Sequence, residues 1–256
     1  MNMDPITCAL RRVDKEEVLL DNVSEIIVIG DPGCTRFDDH SKRVLGEIFA
    51  KRADAFIVLG DMVYRGGADE LNDFISFCNA ASRAPVFTLC GNHDLPGYPA
   101  LFGKSTYALI AGAFVFLFID NVTDWDHFSR KDLEFIEQKL DKYPDKKFII
   151  LFHIPPPTDL SSNCMKDRKW GELRAVLDAH KDRIECLMCG HIHGFRDHVI
   201  DGYRVFITGG GGAKLQDLEK DTIKSHHAIR LSFGKGSTVR FSTFTVGMQQ
   251  ASELKR

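Results

Sequence analysis

Five apolar runs in this sequence each end on a side chain that can bind a metal or carry a proton. EIIVIG (25–30) leads into Asp31, and AFIVLG (55–60) leads into Asp61, with Tyr64 three residues further on. PVFTLCG (85–91) is followed by Asn92, His93 and Asp94. KFIILF (147–152) ends at His153, and IECLMCG (184–190) ends at His191 and His193. Apart from His93 and Asp94, these are two carboxylates, a phenol, an amide oxygen and three imidazoles. Such a set suits iron, manganese or zinc better than calcium, and its lack of thiolates disfavours a structural zinc site. It holds too many donors for one tetrahedral ion and about the right number for two ions sharing a carboxylate. His191 and His193 are two apart, so in an extended segment both imidazoles leave on one face. Asp61 and Tyr64 flank a turn containing Gly66 and Gly67, which can bring both oxygens to one side. Two ions a few ångströms apart clamp the attacking and leaving oxygens of an in-line phosphoryl displacement.

The elements that must position these groups follow from the hydrophobic pattern. AFVFLFID (113–120) completes a set of short, continuously apolar strands, and amphipathic stretches near 40–52, 69–81, 129–141 and 168–180 read as helices. Apolar strands separated by helices indicate a parallel or mixed sheet covered on both faces. In open α/β sheets ligands bind beyond the carboxyl ends of the strands, so segments spread from 31 to 193 should converge in one cleft. The tail from Asp201 to Thr245 reads as strands joined by turns and predicts a second, largely antiparallel sheet. The expected fold class is α/β, with two central mixed β-sheets packed as a sandwich and helices on the outer faces. We read one domain over 1–256, with the motif-bearing core at about 25–210 and C-terminal strands at about 203–246.

Composition narrows the function classes. The 33 basic residues against 36 acidic give a net charge of −3, which argues against a broad nucleic-acid surface. No apolar run approaches the ~20 residues of a membrane span. The start carries Asp4 and charges throughout, unlike a signal peptide. Seven cysteines show no repeated spacing; Cys186 and Cys189 form a lone C-x-x-C inside an apolar run and read as buried strand residues. Reduced thiols and a cytoplasmic location are expected. No partner motif is present, and the oligomeric state stays open.

The strings GD (30–31), GDMVY (60–64), GNHD (91–94), H (153) and GHIH (190–193) resemble, in order and spacing, the signature blocks of the calcineurin-like metallophosphoesterase superfamily. Most members carry a histidine two residues after the first aspartate, where this chain has Gly33. Purple acid phosphatases also have glycine there and compensate with a tyrosine in the second block, as Tyr64 does here. The resemblance implies that one metal is held by Asp31, Tyr64, His193 and a bridging Asp61. It implies that the other is held by Asn92, His153, His191 and the same Asp61. It further implies iron with a divalent partner, whereas the residues alone equally permit two manganese ions, or zinc, if Tyr64 swings away. A metal-bound hydroxide would attack phosphorus, and His93 would stabilise developing charge or protonate the leaving oxygen.

Other readings stay open at this point. Tyr64 is either a ligand or a packed aromatic with a wet hydroxyl. Arg65, in a string that also resembles a block of protein serine/threonine phosphatases, either grips phosphate or is a solvated loop arginine. Asp94 either orients His93 or points elsewhere. Gly209 to Gly212 either let backbone approach a phosphate or form a flexible turn. His226 and His227 read as half-buried and without a catalytic part, and Asp124 to His127 form a loop that could contact substrate. The expected function is hydrolysis of small-molecule phosphate esters, leaning to monoesters. The alternatives are a phosphodiesterase of cyclic nucleotides or nucleotide diphosphates and a non-catalytic protein-binding scaffold.

Overall fold

The computed structural model describes residues 8–33, 36–124, 128–219 and 223–247. Strands β1 (Glu17–Leu20) and β2 (Glu25–Ile29) precede helix α1 (Asp39–Phe49), followed by β3 (Ala55–Val58), α2 (Ala68–Ala81), β4 (Val86–Thr88) and the short α3 (Tyr98–Phe102). A hairpin of β5 (Tyr107–Ala111) and β6 (Phe114–Phe118) leads to α4 (Arg130–Lys142), β7 (Lys147–Leu151), α5 (Asp167–Leu177) and β8 (Ile184–Cys189). The chain then forms β9 (Phe195–Ile200), β10 (Tyr203–Thr208), β11 (His227–Phe233) and β12 (Val239–Thr245).

These strands form two sheets, a five-stranded one ordered β12-β11-β2-β3-β4 and a seven-stranded one ordered β1-β5-β6-β7-β8-β10-β9. Side chains alternate across a strand, so each apolar run feeds two cores. Ile26 and Val28 of β2 point inward between the sheets, where they meet Phe116, Leu151 and Met188 of the other sheet. Ile27 and Ile29 point outward under Val44, Leu45 and Ile48 of α1 and Phe74 of α2. On the opposite side, Ile136 and Leu140 of α4 and Leu173 of α5 cover Leu117, Ile150 and Leu187. Both sheets are thus buried on two faces, which is why their strands read as continuous apolar runs. The predicted α/β sandwich with outer helices is the fold found.

The tail differs from its expected sheet. β10 pairs parallel to β8, with Val205 opposite Leu187, and so completes the seven-stranded sheet together with β9. β11 instead pairs antiparallel with β2, with Ile229 opposite Val28, and β12 forms the edge of the five-stranded sheet. Burial explains the split. YRVFIT is buried at five of its six positions and takes an inner place, whereas VRFSTFT has no fully buried residue and suits an edge. β5 is hidden in the sequence because only Gly112 and Ala113 separate it from β6, so two strands read as one apolar stretch.

Among the described residues no helix is long and apolar enough to cross a membrane. The six described cysteines are free thiols, and Cys186 and Cys189 are buried strand residues as expected. Burial pushes both thiols up.

The edge strand β1 is tied to α4 by one carboxylate. Glu17 accepts from Lys139 Nζ and Lys142 Nζ at 2.7 Å each, and from the Tyr143 hydroxyl at 3.1 Å. Burial works against its charge, but these donors hold it down at about 2. A depressed acid contributes stability above its unfolded value, about 4.5, and that contribution is lost as pH falls towards about 2. Glu17→Gln should therefore cost about 1–2 kcal/mol at neutral pH, because Lys139 is buried while Lys142 is not. Denaturant unfolding of the two proteins should converge as pH drops through that window; a gap unchanged at pH 3 would contradict the assignment.

Candidate metal centre

The carboxyl ends of β2, β3 and β4 in one sheet meet those of β7 and β8 in the other. Asp31 follows β2 and Asp61 follows β3, and both are buried with φ near +51°; His191, after β8, stands at +69°. These are left-handed conformations that non-glycine residues rarely adopt and that gather at functional sites. They are held by hydrogen bonds between the loops. Both Asp31 oxygens accept from the His191 N–H, at 3.0 and 2.9 Å, and Asp61 Oδ1 accepts from the His93 N–H at 2.9 Å.

Two of the three candidate-ligand imidazoles, His153 and His193, are oriented by backbone carbonyls. His153 Nδ1 lies 2.7 Å from the Leu59 carbonyl oxygen, so that nitrogen carries the proton it donates and Nε2 faces the cluster. There Nε2 stands 3.3 Å from Asp61 Oδ2, 3.1 Å from Asn92 Oδ1 and 3.2 Å from His191 Nδ1. His193 Nδ1 is likewise spent on the Lys214 carbonyl at 2.9 Å, leaving Nε2 towards Asp31 at 3.7 Å. Holding one ring nitrogen on a carbonyl fixes the tautomer and aims the other as a metal ligand.

Two groups of ligand atoms result, each within 4.8 Å of one another: Asp61 with His153 and His191, and Asp31 with Asp61 and His193. Asp61 belongs to both. The electrostatics fit a cation. Burial, with Asp61 adding to it, pushes Asp31 well up. Burial also opposes charge on Asp61, yet the adjacent His153 holds it below the usual carboxylate range. His153 in turn is carried up to about 10 by Asp61 and Asp31 against its own burial. Burial and the His153 charge bring His191 down to about 3, and burial lowers His193. His153 Nε2 thus faces Asp61, Asn92 and His191 in a cluster of buried acids whose charge a metal ion would offset.

Glycines let the loops come this close. A Cβ on Gly91 would lie 2.1 Å from the Asp61 nitrogen. A Cβ on Gly33 would lie 2.0 Å from the Met62 carbonyl oxygen, so a side chain of any kind there requires the backbone to move. Gly33 donates from its own N–H to the Asp61 carbonyl at 3.0 Å. The run Gly209 to Gly212 proves to be packed rather than a free turn: Gly211 donates to the Gly30 carbonyl, and a Cβ on Gly209 would meet the Ile192 carbonyl at 2.3 Å.

Around this cluster stand the other candidates. His93 Nδ1 is 2.7 Å from the Tyr64 carbonyl oxygen, which leaves Nε2 to handle a proton. The Tyr64 ring stacks on His93 with centroids 5.7 Å apart and is 44% exposed, and the Arg65 guanidinium lies over that ring at 5.4 Å. Asp94 does not orient the His93 ring. Its oxygens accept from the Met62 N–H and the Gly91 N–H at 2.8 Å each, tying the β3 loop to the β4 loop. Burial and Asp61 push it up to about 7. His227 is fully buried, and His226 faces His40 across 2.8 Å. Of the loop at Asp124 to His127, residues 125–127 lie outside the described residues.

The family model described as calcineurin-like phosphoesterase matches residues 24–195. The chain belongs to that family. None of the curated proteins matches it. Among solved structures it is similar to a purple acid phosphatase, PPD1, from yellow lupin (Lupinus luteus) seeds, at 19% identity and a TM-score of 0.65. That match covers 83% of this chain, which spans 49% of the lupin protein. It is similar to a dimetal phosphatase from Danio rerio at 16% identity and a TM-score of 0.64, covering 87% of this chain and 99% of that one. It also resembles GAP50, the anchor in the inner membrane complex of Plasmodium, at 13% identity and a TM-score of 0.62, covering 87% and 84%. At such identities the likeness is one of fold.

Sequence reading missed the groups that aim the candidate ligands. The Leu59 and Lys214 carbonyls carry no sequence signal. Asn121 does carry one, because with Asp120 it follows the apolar run 113–119, as the other site residues follow theirs.

Proposed function

We propose that this chain is a two-metal hydrolase of small-molecule phosphate esters that prefers monoesters. The observation that carries the reading is Asp61, a buried carboxylate common to both groups of convergent donors. Asp31, Asp61, His193 and Tyr64 would hold one ion; Asp61, Asn92, His153 and His191 would hold the other. Iron with a divalent partner suits a set that includes a phenolate, and two manganese ions or zinc suit it without one. When bound, the ions supply the Lewis acidity that polarises a phosphoryl oxygen and offsets its charge. His93 holds a proton at Nε2 for the leaving oxygen while its Nδ1–H stays on the Tyr64 carbonyl. Arg65 lies on the same loop and can pair with two phosphate oxygens. An anchor can share this fold, but here Asp31, Asp61, Asn92, His153, His191 and His193 converge, which supports a metal centre, while the half-exposed Tyr64 ring stacks on His93. The described cysteines are free thiols, which suits a reducing compartment such as the cytosol.

The test is hydrolysis of 4-nitrophenyl phosphate and bis(4-nitrophenyl) phosphate side by side, with metal-stripped protein reconstituted with iron, manganese or zinc. Preference for the monoester supports the proposal, and preference for the diester with manganese moves the protein to the phosphodiesterases. Tyr64→Phe should abolish the visible charge-transfer band of the iron-loaded protein and weaken one iron. An unchanged spectrum would leave Tyr64 as a stacking residue for His93.

A further inference from the structure

The geometry points to Asn121 as the positioning residue of His153, an inference that rests on His153 being a metal ligand. Strands β6 and β7 run parallel, and their ladder ends where Ile119 donates its N–H to the Leu151 carbonyl at 2.8 Å. The next β7 N–H directed to that side belongs to His153, where β6 no longer supplies a carbonyl. Asn121 supplies one from its side chain. Its Oδ1 accepts from the His153 N–H at 3.0 Å and the Ile154 N–H at 3.1 Å, and its Nδ2 donates to the Ile154 carbonyl at 2.8 Å. The amide is fully buried, and only this orientation satisfies all three backbone groups.

His153 is thereby fixed from three directions. Gly190 donates to its carbonyl at 3.1 Å, Leu59 accepts from its ring, and Asn121 holds its N–H. The first two come from backbone and resist substitution. Asn121 is the side chain among them, and it sets where His153 leaves the sheet and how Nε2 meets Asp61, Asn92 and His191. Without it the residue can shift by the fraction of an ångström that metal coordination does not tolerate.

The test is calorimetric titration of Mn²⁺ into metal-stripped wild type, Asn121→Ala, Asn121→Ser and Leu117→Ala. Leu117 lies on β6, buried among core side chains, and its truncation supplies a stability control without touching the clamp. Asn121→Ala should weaken one of the two manganese sites about tenfold or more while leaving the other within about twofold, the size expected when a group that orients a ligand is removed. Asn121→Ser, whose hydroxyl can accept one N–H, should fall between, and it carries the test if the alanine variant does not fold. Leu117→Ala should lower Tm and leave both affinities as in wild type. Equal manganese binding by wild type and the Asn121 variants would overturn the inference, as would an equal loss in Leu117→Ala. A wild type that binds neither manganese nor zinc nor iron would instead overturn the two-metal reading on which the inference stands.

Discussion

Asp61→Asn should lower turnover by at least about 10³-fold, because on the proposed reading this carboxylate would help hold both ions, and such ions supply several kcal/mol of stabilisation to the phosphoryl transition state. The substitution keeps the shape, and the amide oxygen can still accept from the His93 N–H that Asp61 Oδ1 now accepts. What changes is charge: His153 loses the partner that most strongly favours its protonated form, and both groups of donors lose their common carboxylate. Metal content should fall from two ions per chain to one or fewer. Elemental analysis alongside turnover separates this from a folding defect, which circular dichroism reports. Two retained ions and full activity would remove Asp61 from the bridging position.

His93→Ala should act differently. The loss of a positioned acid or base typically costs about 10²–10⁴-fold in rate. The contact between this residue and the cluster is made by its backbone N–H to Asp61, which alanine keeps. The ion assigned to Asp61, Asn92, His153 and His191 should therefore be retained while turnover collapses, with any loss confined to the ion assigned to Tyr64, whose ring and carbonyl His93 contacts. Activity should fall least for esters with acidic alcohols, whose leaving oxygens need no proton. A fall in metal content equal to the fall in rate would make His93 a ligand or a structural residue instead.

Much of this was legible because chemistry and periodicity coincide at the strand ends. A buried parallel strand must be apolar along its length, so the first polar residue beyond it stands out, and Asp31, Asp61 and His153 did. The layers followed from the same runs, since strands buried on two faces need helices outside. What the sequence hides is mostly backbone. The carbonyls of Leu59, Tyr64 and Lys214 set three ring orientations, and carbonyls look alike whatever the residue. Asp94 sits in a signature block yet braces Met62 and Gly91, a distinction that requires knowing which way its side chain leaves the turn. Gly33 reads in sequence as a missing histidine; in the fold, the Met62 carbonyl fills the space a side chain would need. The split of the tail is hidden because strand order depends on which strands are buried on both faces, and YRVFIT and VRFSTFT are both rich in β-branched and aromatic residues.

The most direct measurement is a titration of metal-stripped protein with manganese in which bound ions per chain and hydrolysis of 4-nitrophenyl phosphate are followed together. Two sites sharing Asp61 predict little turnover up to one equivalent and a steep rise as the second ion binds, with saturation at two ions per chain. Full activity at one ion per chain, or turnover undiminished in the metal-stripped protein, would contradict a shared two-metal centre.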